Sequence, residues 1–252
     1  MSKIIRIFIS SLLSLLISFP LFAKPLPQIK KAIDASVLVY VPGVGSGSGF
    51  GVYQLQDSTI IATNDHVCQM TRGLVFLTDE TDFTKRLNSN QIYVENAAGK
   101  KYKAKVVMTT NLEKLKKEQR DSDLCLLKVE EILPVLEISP TDSEIGDRVF
   151  SVSAPHGIFP MVHEAYIGPT ILEAEGNMLE TQFSGLYIHP GSSGGAVLDF
   201  ESGKVVGVIF AIIPVDSKIH SPIAALNIPA SQLNSFIARY LEKRKDTLEK
   251  QK

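Results

Sequence analysis

Only two cysteines, Cys68 and Cys125, occur in the 252 residues, and no second histidine lies near them. A zinc site draws on about four such ligands, so no metal is expected. Net charge is almost absent: 26 Lys and Arg against 27 Asp and Glu leave −1. That lacks the basic excess nucleic-acid binding requires, so no nucleic-acid partner is expected. A bilayer span takes ~20 apolar residues, and no window after the first two dozen residues supplies one. Helical periodicity is missing from most of the chain. What is there, 44% hydrophobic and 21% charged residues, is the composition of a folded protein with material for one or two cores.

The N-terminus, MSKIIRIFISSLLSLLISFPLFA, has a short cationic start (Lys3, Arg6), an apolar run from Ile7 to about Phe19, a break at Pro20 and then Leu21-Phe22-Ala23. This is the anatomy of a secretory signal peptide over 1–23, with cleavage after Ala23. Export to the periplasm or the exterior is expected, with no stable membrane insertion once the signal is removed. The two cysteines would then sit where a disulfide persists.

Beyond the leader, short β-branched and aromatic runs alternate with turn clusters: ASVLVYV, GFGVYQL, STIIAT, QIYVEN, YKAKVVM, DLCLLKV, RVFSVSA, MVHEAYI, AVLDF and KVVGVIFAII. Such spacing without intervening helices predicts an all-β antiparallel barrel or sandwich. The one convincing helix comes last. It is expected from near Pro229, with Ser231 as cap and Leu233, Phe236, Ile237, Tyr240 and Leu241 as a core-packing stripe, before it dissolves into a solvated charged tail. Residues 78–90 and 109–121 read as polar surface loops. The stretch ILPVLEISPTDSEIG (132–146) is the candidate boundary, which divides the chain into 24–135, 136–228 and a terminal 229–252.

HPGSSGGAVLD (189–199) admits three readings. A linker would be followed by polar, aperiodic sequence, yet AVLDF, a turn and VVGVIFAII follow. A phosphate loop needs a helix after its glycines, and none follows; the same objection meets GVGSGSGFGV (43–52), whose glycines read as close backbone approaches. The G-x-S-x-G pattern also fits a nucleophile elbow, which the hairpin after it contradicts. The remaining reading is a serine in a tight turn whose own N–H and that of Gly191 aim at one spot, as an oxyanion requires. Serine alone is a poor nucleophile and needs a base held by an acid. His66, just past the strand STIIAT, offers the base. Asp123 offers the acid, because it shares strand parity with Cys125 and Leu127 and so points inward, where a carboxylate needs a partner.

Thr63-Asn64-Asp65-His66-Val67, Asp123-Leu124-Cys125-Leu126-Leu127-Lys128 and Pro190-Gly191-Ser192-Ser193-Gly194-Gly195 resemble, in this order, the three signature blocks of trypsin-like serine proteases, most closely the HtrA (Deg) type. Gly47-Ser48-Gly49-Phe50, Ala154-Pro155-His156-Gly157 and Ile188-His189-Pro190-Gly191 fit the same branch. The resemblance implies two six-stranded antiparallel β-barrels with a C-terminal α-helix. It implies Ser193 as nucleophile, His66 as general base and acid, Asp123 as the group that fixes the imidazole, and the Gly191 and Ser193 N–H groups as the oxyanion hole. Asp65 and Asp121 are then decoys, and His156, His163, His189 and His220 structural or surface residues.

The expected activity is exported serine endopeptidase, acting on proteins or peptides without cofactor. The alternative is a non-catalytic peptide-binding or partner-binding relative on the same scaffold, and a further one an exported esterase. Ser192 replaces the aspartate that pairs with a new N-terminus in digestive trypsins, so that activation is not expected. Tyr187, Ile188, Phe210 and Ala211 are the expected pocket, with Tyr187 where a tryptic enzyme carries aspartate; cleavage after a small or apolar side chain, not Lys or Arg, follows. A PDZ module, usual in full-length HtrA enzymes, is not expected. If the three blocks assemble, Cys68 and Cys125 approach each other and a disulfide is expected.

Overall fold

In Ser36–Val41 (β1) the valines Val37, Val39 and Val41 are buried while Leu38 and Tyr40 between them are half-buried. This two-residue period is what closes a sheet around an interior. The computed structural model describes residues 26–70, 91–110, 123–172, 180–213 and 224–249. Six antiparallel strands close a first barrel in the order β1, Gly45–Gln54 (β2), Thr59–Thr63 (β3), Cys125–Val129 (β6), Lys101–Thr109 (β5) and Ile92–Asn96 (β4). Six more close a second: Ala196–Asp199 (β10), Val205–Ile213 (β11), Ala224–Pro229 (β12), Glu180–Ser184 (β9), Met161–Leu172 (β8) and Arg148–Ser153 (β7). Two barrels and a C-terminal helix are therefore the architecture.

Three apolar clusters hold it. One, with Val39, Ile61, Val94 and Leu127, lies inside the first barrel. Another, with Val149, Ile167, Val197 and Ile209, lies inside the second. The largest draws Phe50, Ile60 and Leu126 from the first barrel, Phe150, Leu198 and Val208 from the second, and Leu233, Phe236 and Ile237 from the C-terminal helix. Each fully buried Phe or Leu here contributes roughly 1.5–3 kcal/mol of transfer free energy. The barrels are thus fused along an apolar seam, and the helical stripe expected from the sequence packs on it.

The connection between the barrels runs from the end of β6 at Val129 to the start of β7 at Arg148. Leu136 donates its N–H to Gly51 O (2.8 Å), and Ser139 donates to Val205 O (2.8 Å). A Cβ on Gly51 would lie 2.2 Å from Pro134 O, so only glycine lets the linker cross β2 there.

Some sequence expectations need correction. Pro27–Ala35 (α1) and Asp65–Gln69 (α2) are helices the pattern did not announce. The first opens on Pro27, which is pre-set for a helix start, and buries Ala32 and Ala35 against the seam. The strands β9 and β12 also escaped, because ETQFS is polar and AALNIP is rich in alanine. The last helix, Ala230–Glu249 (α3), does not dissolve at its charged end, since Glu, Lys, Arg and Leu are strong helix formers. Ser231 is not its cap: the residue lies inside the helix and its N–H donates to Asp142 Oδ1 at 2.8 Å. Among the described residues no helix is long and apolar enough to cross a membrane. The leader over 1–23, the loop 78–90, residues 111–121 of the second loop, and His220 lie outside the described residues.

Candidate active site

The strand β3 is buried at all five positions and pairs with β6 so that Thr63 faces Cys125. The chain then turns at Asn64, which is fully buried and donates its side-chain amide to Asp123 O at 2.8 Å. The next turn of chain, α2, carries His66. Its main-chain N–H donates to Asp123 Oδ1 at 2.9 Å, and its Nδ1 lies 2.5 Å from Asp123 Oδ2. An ionised carboxylate only accepts, so Nδ1 carries the proton and Nε2 is left as the basic nitrogen. Asp123 sits two residues before β6 and exposes 15% of its side chain, against 43% for His66. The expected disulfide joins Cys68 to Cys125, two residues beyond each partner.

The serine loop comes from the other barrel and is fixed by its main chain. Ser192 N–H donates to His189 O, Gly195 N–H to Ser192 O, and Gly194 N–H to Ile209 O, at 2.8–3.0 Å. Among the described residues the N–H groups of Gly191 and Ser193 have no acceptor. These are the two donors the sequence singled out. Gly191 holds φ +98°, a conformation that favours glycine, and a Cβ there would lie 2.4 Å from Ala154 O.

A serine the sequence reading passed over ties this loop down. Ser48, fully buried in β2, donates its hydroxyl to Gly191 O (2.7 Å) and accepts from Ala154 N–H (2.8 Å). Its main chain also spans the barrel junction: Ser48 N–H donates to Ser193 O (2.7 Å), and Ser48 O accepts from the Thr63 hydroxyl (2.7 Å). Thr63 lies three residues before His66, so Ser48 is the stitch between the histidine's strand and the serine's loop. Gly47 allows the approach, because a Cβ there would lie 2.7 Å from Val67 and 3.1 Å from Ser193 O. The sequence signal was the glycine spacing alone, which announced close backbones and not the hydroxyl between them. The structure thus brings His66 and Asp123 into contact and links Ser193 to them through Ser48. Among the described residues the Ser193 hydroxyl itself makes no hydrogen bond to His66.

Residues 47–208 match the family model described as trypsin-like peptidase domain, more than half of the chain. The chain belongs to the trypsin-like peptidases. No curated protein sequence matches it. The solved Rv3671c protease of M. tuberculosis in its active form superimposes with a TM-score of 0.61 at 19% identity, over 84% of this chain and 83% of that one. Its inactive form gives 0.61 at 20% identity, over 85% and 92%. The serine endoprotease of Yersinia pestis gives 0.61 at 22%, over 85% of this chain and 65% of that one. Identities this low show a shared fold.

The other residues singled out in this peptidase fall in different surroundings. Ser192 is buried and its hydroxyl accepts from His189 N–H at 3.2 Å. Of the expected pocket, Tyr187 is exposed, Ala211 is half-buried, Ile188 is buried inside the second barrel, and Phe210 packs against the seam cluster. Asp65 is buried and accepts from the Gln69 side chain at 2.8 Å, outside the His66 pair. A row of rings runs from His163 to Tyr187 (5.9 Å), on to His189 (4.6 Å) and then to His156 (5.1 Å). Burial, and after it the field of His189, holds the His163 imidazole below its ordinary 6.5. His156 has φ +53° and donates its N–H to Pro190 O at 2.7 Å, which ties this end of the row to the serine loop. Among the described residues no group of three or more His, Cys, Asp or Glu is arranged to hold a metal ion.

Proposed function

We propose that this trypsin-like peptidase is an exported serine endopeptidase in which Ser193, His66 and Asp123 act as a triad. The observation that carries the proposal is the double hold of Asp123 on His66, which leaves Nε2 basic. In the reaction Nε2 takes the Ser193 proton as Oγ attacks the peptide carbonyl. The Asp123 carboxylate stabilises the imidazolium that results, and the oxyanion accepts from the free N–H groups of Gly191 and Ser193, each worth roughly 10²–10³ in rate. Collapse expels the amine with the proton from His66, and water, activated by the same nitrogen, releases the acyl group. Hydrogen bonds of this kind often close only when substrate is bound, which accommodates the open Ser193–His66 pair among the described residues.

The leader of Lys3, Arg6 and the apolar run from Ile7 supports export, as does a disulfide, which persists in oxidising compartments. Tyr187 in place of an acid argues against Lys or Arg at the cleaved position, and the apolar Ile188 and Ala211 favour a small or apolar side chain. Digestion of casein and a peptide library by the mature chain tests the reading. Cleavage that Ser193→Ala abolishes is expected; no cleavage, or cuts mainly after Lys or Arg, would contradict it.

A further inference from the structure

Inside the second barrel, a group of polar side chains lies at the end beneath the serine loop. Cross-strand partners share a face. Ser151 pairs with Val197, Asn227 with Ile209, and Ser184 with both Ala225 and Ile167, and every one of these partners belongs to the barrel's inner cluster. His163 pairs with Ser151, and Ser153 follows Ser151 by two residues, so both turn inward as well. Five polar side chains from four strands therefore form one layer.

Its level in the barrel is fixed by the serine loop. A Cβ on Gly195 would lie 2.8 Å from the Ser153 Cβ. Ile209, the partner of Asn227, accepts from Gly194 N–H at 2.8 Å and donates to Gly195 O at 2.9 Å. The layer lies directly below the residues that follow Ser193.

Ser151, Ser153 and Asn227 are completely buried and Ser184 nearly so, yet the layer is not self-satisfied. Asn227 Nδ2 donates to Ser184 Oγ at 2.8 Å. Asn227 Oδ1, Ser151 Oγ, Ser153 Oγ and His163 Nδ1 have no hydrogen-bond partner. Buried polar atoms without partners are costly, so four in one layer point to a ligand group that completes them.

We propose that this layer is the floor of the primary specificity site and receives a carboxamide, so that the bond cleaved follows Gln or Asn. The inference rests on the serine-peptidase reading and replaces its expectation of an apolar side chain at the cleaved position. Ile188, Leu186 and Ala225 supply apolar walls for the carbon stem, and the floor decides what stands at its end. Asn227 Oδ1 accepts only and demands a donor, which an aliphatic, a thioether or a carboxylate lacks. The serine hydroxyls and the His163 nitrogen can donate to a carbonyl. A carboxamide offers both functions, and reversing the Asn227 amide leaves a complement that it also satisfies. None of the five side chains carries a fixed charge, and His163 is held toward its neutral form, so a carboxylate would be desolvated there without a cation.

Peptides identical except for Gln, Asn, Met, Leu or Glu before the scissile bond test this. The kcat/KM for Gln or Asn is expected to exceed that for Met, Leu and Glu at least about tenfold, because a site built to hydrogen-bond rejects analogues that leave it unpaired. Asn227→Leu should reverse the Gln-to-Met ratio and Ser153→Ala should reduce it; that ratio, read within one preparation, does not depend on how much variant folds. Equal cleavage after Met or Leu, preference for Glu, or an unchanged ratio in Asn227→Leu would overturn the proposal. Cleavage and Ser193 labelling without amide preference would overturn it alone, whereas no cleavage and no labelling would overturn the peptidase reading and this with it.

Discussion

Asp123 grips His66 at two points, its main-chain N–H at 2.9 Å and its ring Nδ1 at 2.5 Å. One carboxylate therefore sets both the position of the residue and the tautomer of the ring. Asp123→Asn keeps the shape but can donate to Nδ1, which favours the tautomer with the proton on Nε2. The expected result is a fall in kcat of about 10⁴ with KM little changed. Steady-state kinetics on a peptide substrate check it; a loss confined to KM would show that Asp123 serves binding instead.

Ser48 holds the Ser193 loop from the opposite barrel. Ser48→Ala leaves Gly191 O and the buried Ala154 N–H unpaired, which costs about 1–3 kcal/mol of stability for each group. Because the Gly191 N–H is displaced and not deleted, kcat is expected to fall roughly 10–100-fold, less than the loss of an oxyanion donor. Denaturant melts and kinetics on the same preparation separate the two effects.

The disulfide closes a loop across a sequence separation of 57. By chain entropy it stabilises the fold by about 4 kcal/mol. The double variant Cys68→Ala, Cys125→Ala is expected to lose 2–5 kcal/mol in urea melts. It should also lose activity below the melting transition, since the bridge ties α2, which carries His66, to β6 just beyond Asp123.

His163 gives the fold an acid-sensitive point. Its folded-state value is lowered from 6.5 by burial and then by His189, with Tyr187 against its ring and His156 at the far end of the row. A lowered histidine value means that the unfolded chain binds the proton first. Its contribution is complete above the ordinary 6.5 and is lost as pH falls through the lower folded value. Urea midpoints are expected to drop between pH 7 and 5, and His163→Gln should flatten that slope. An equal slope in both proteins would assign the acid sensitivity elsewhere.

Much of this architecture could be read from the chain because it rests on local pattern. Ten of the strands announce themselves by β-branched alternation, as in Val37, Val39 and Val41, and the stripe from Leu233 to Leu241 packs as its period requires. The strands β9 and β12 did not, since Gln182, Ser184 and Asn227 put polar groups inside the barrel where the pattern expects apolar ones. Ser184 and Asn227 also belong to the proposed specificity floor, so there the failure of the pattern and the candidate function coincide. His66 and Asp123 were legible through motif and parity. Ser48 was not, because its partners at Gly191 and Ala154 are more than a hundred residues away and leave no trace in local spacing.

The proposed mechanism stands on Ser193 as a nucleophile activated by His66. Fluorophosphonate labelling of the mature protein, with the modified residue located by mass spectrometry, tests it most directly. A single adduct on Ser193 is expected, absent in Ser193→Ala and at least about 10³-fold slower in His66→Ala. Equal, weak labelling of the wild type and Ser193→Ala would contradict it.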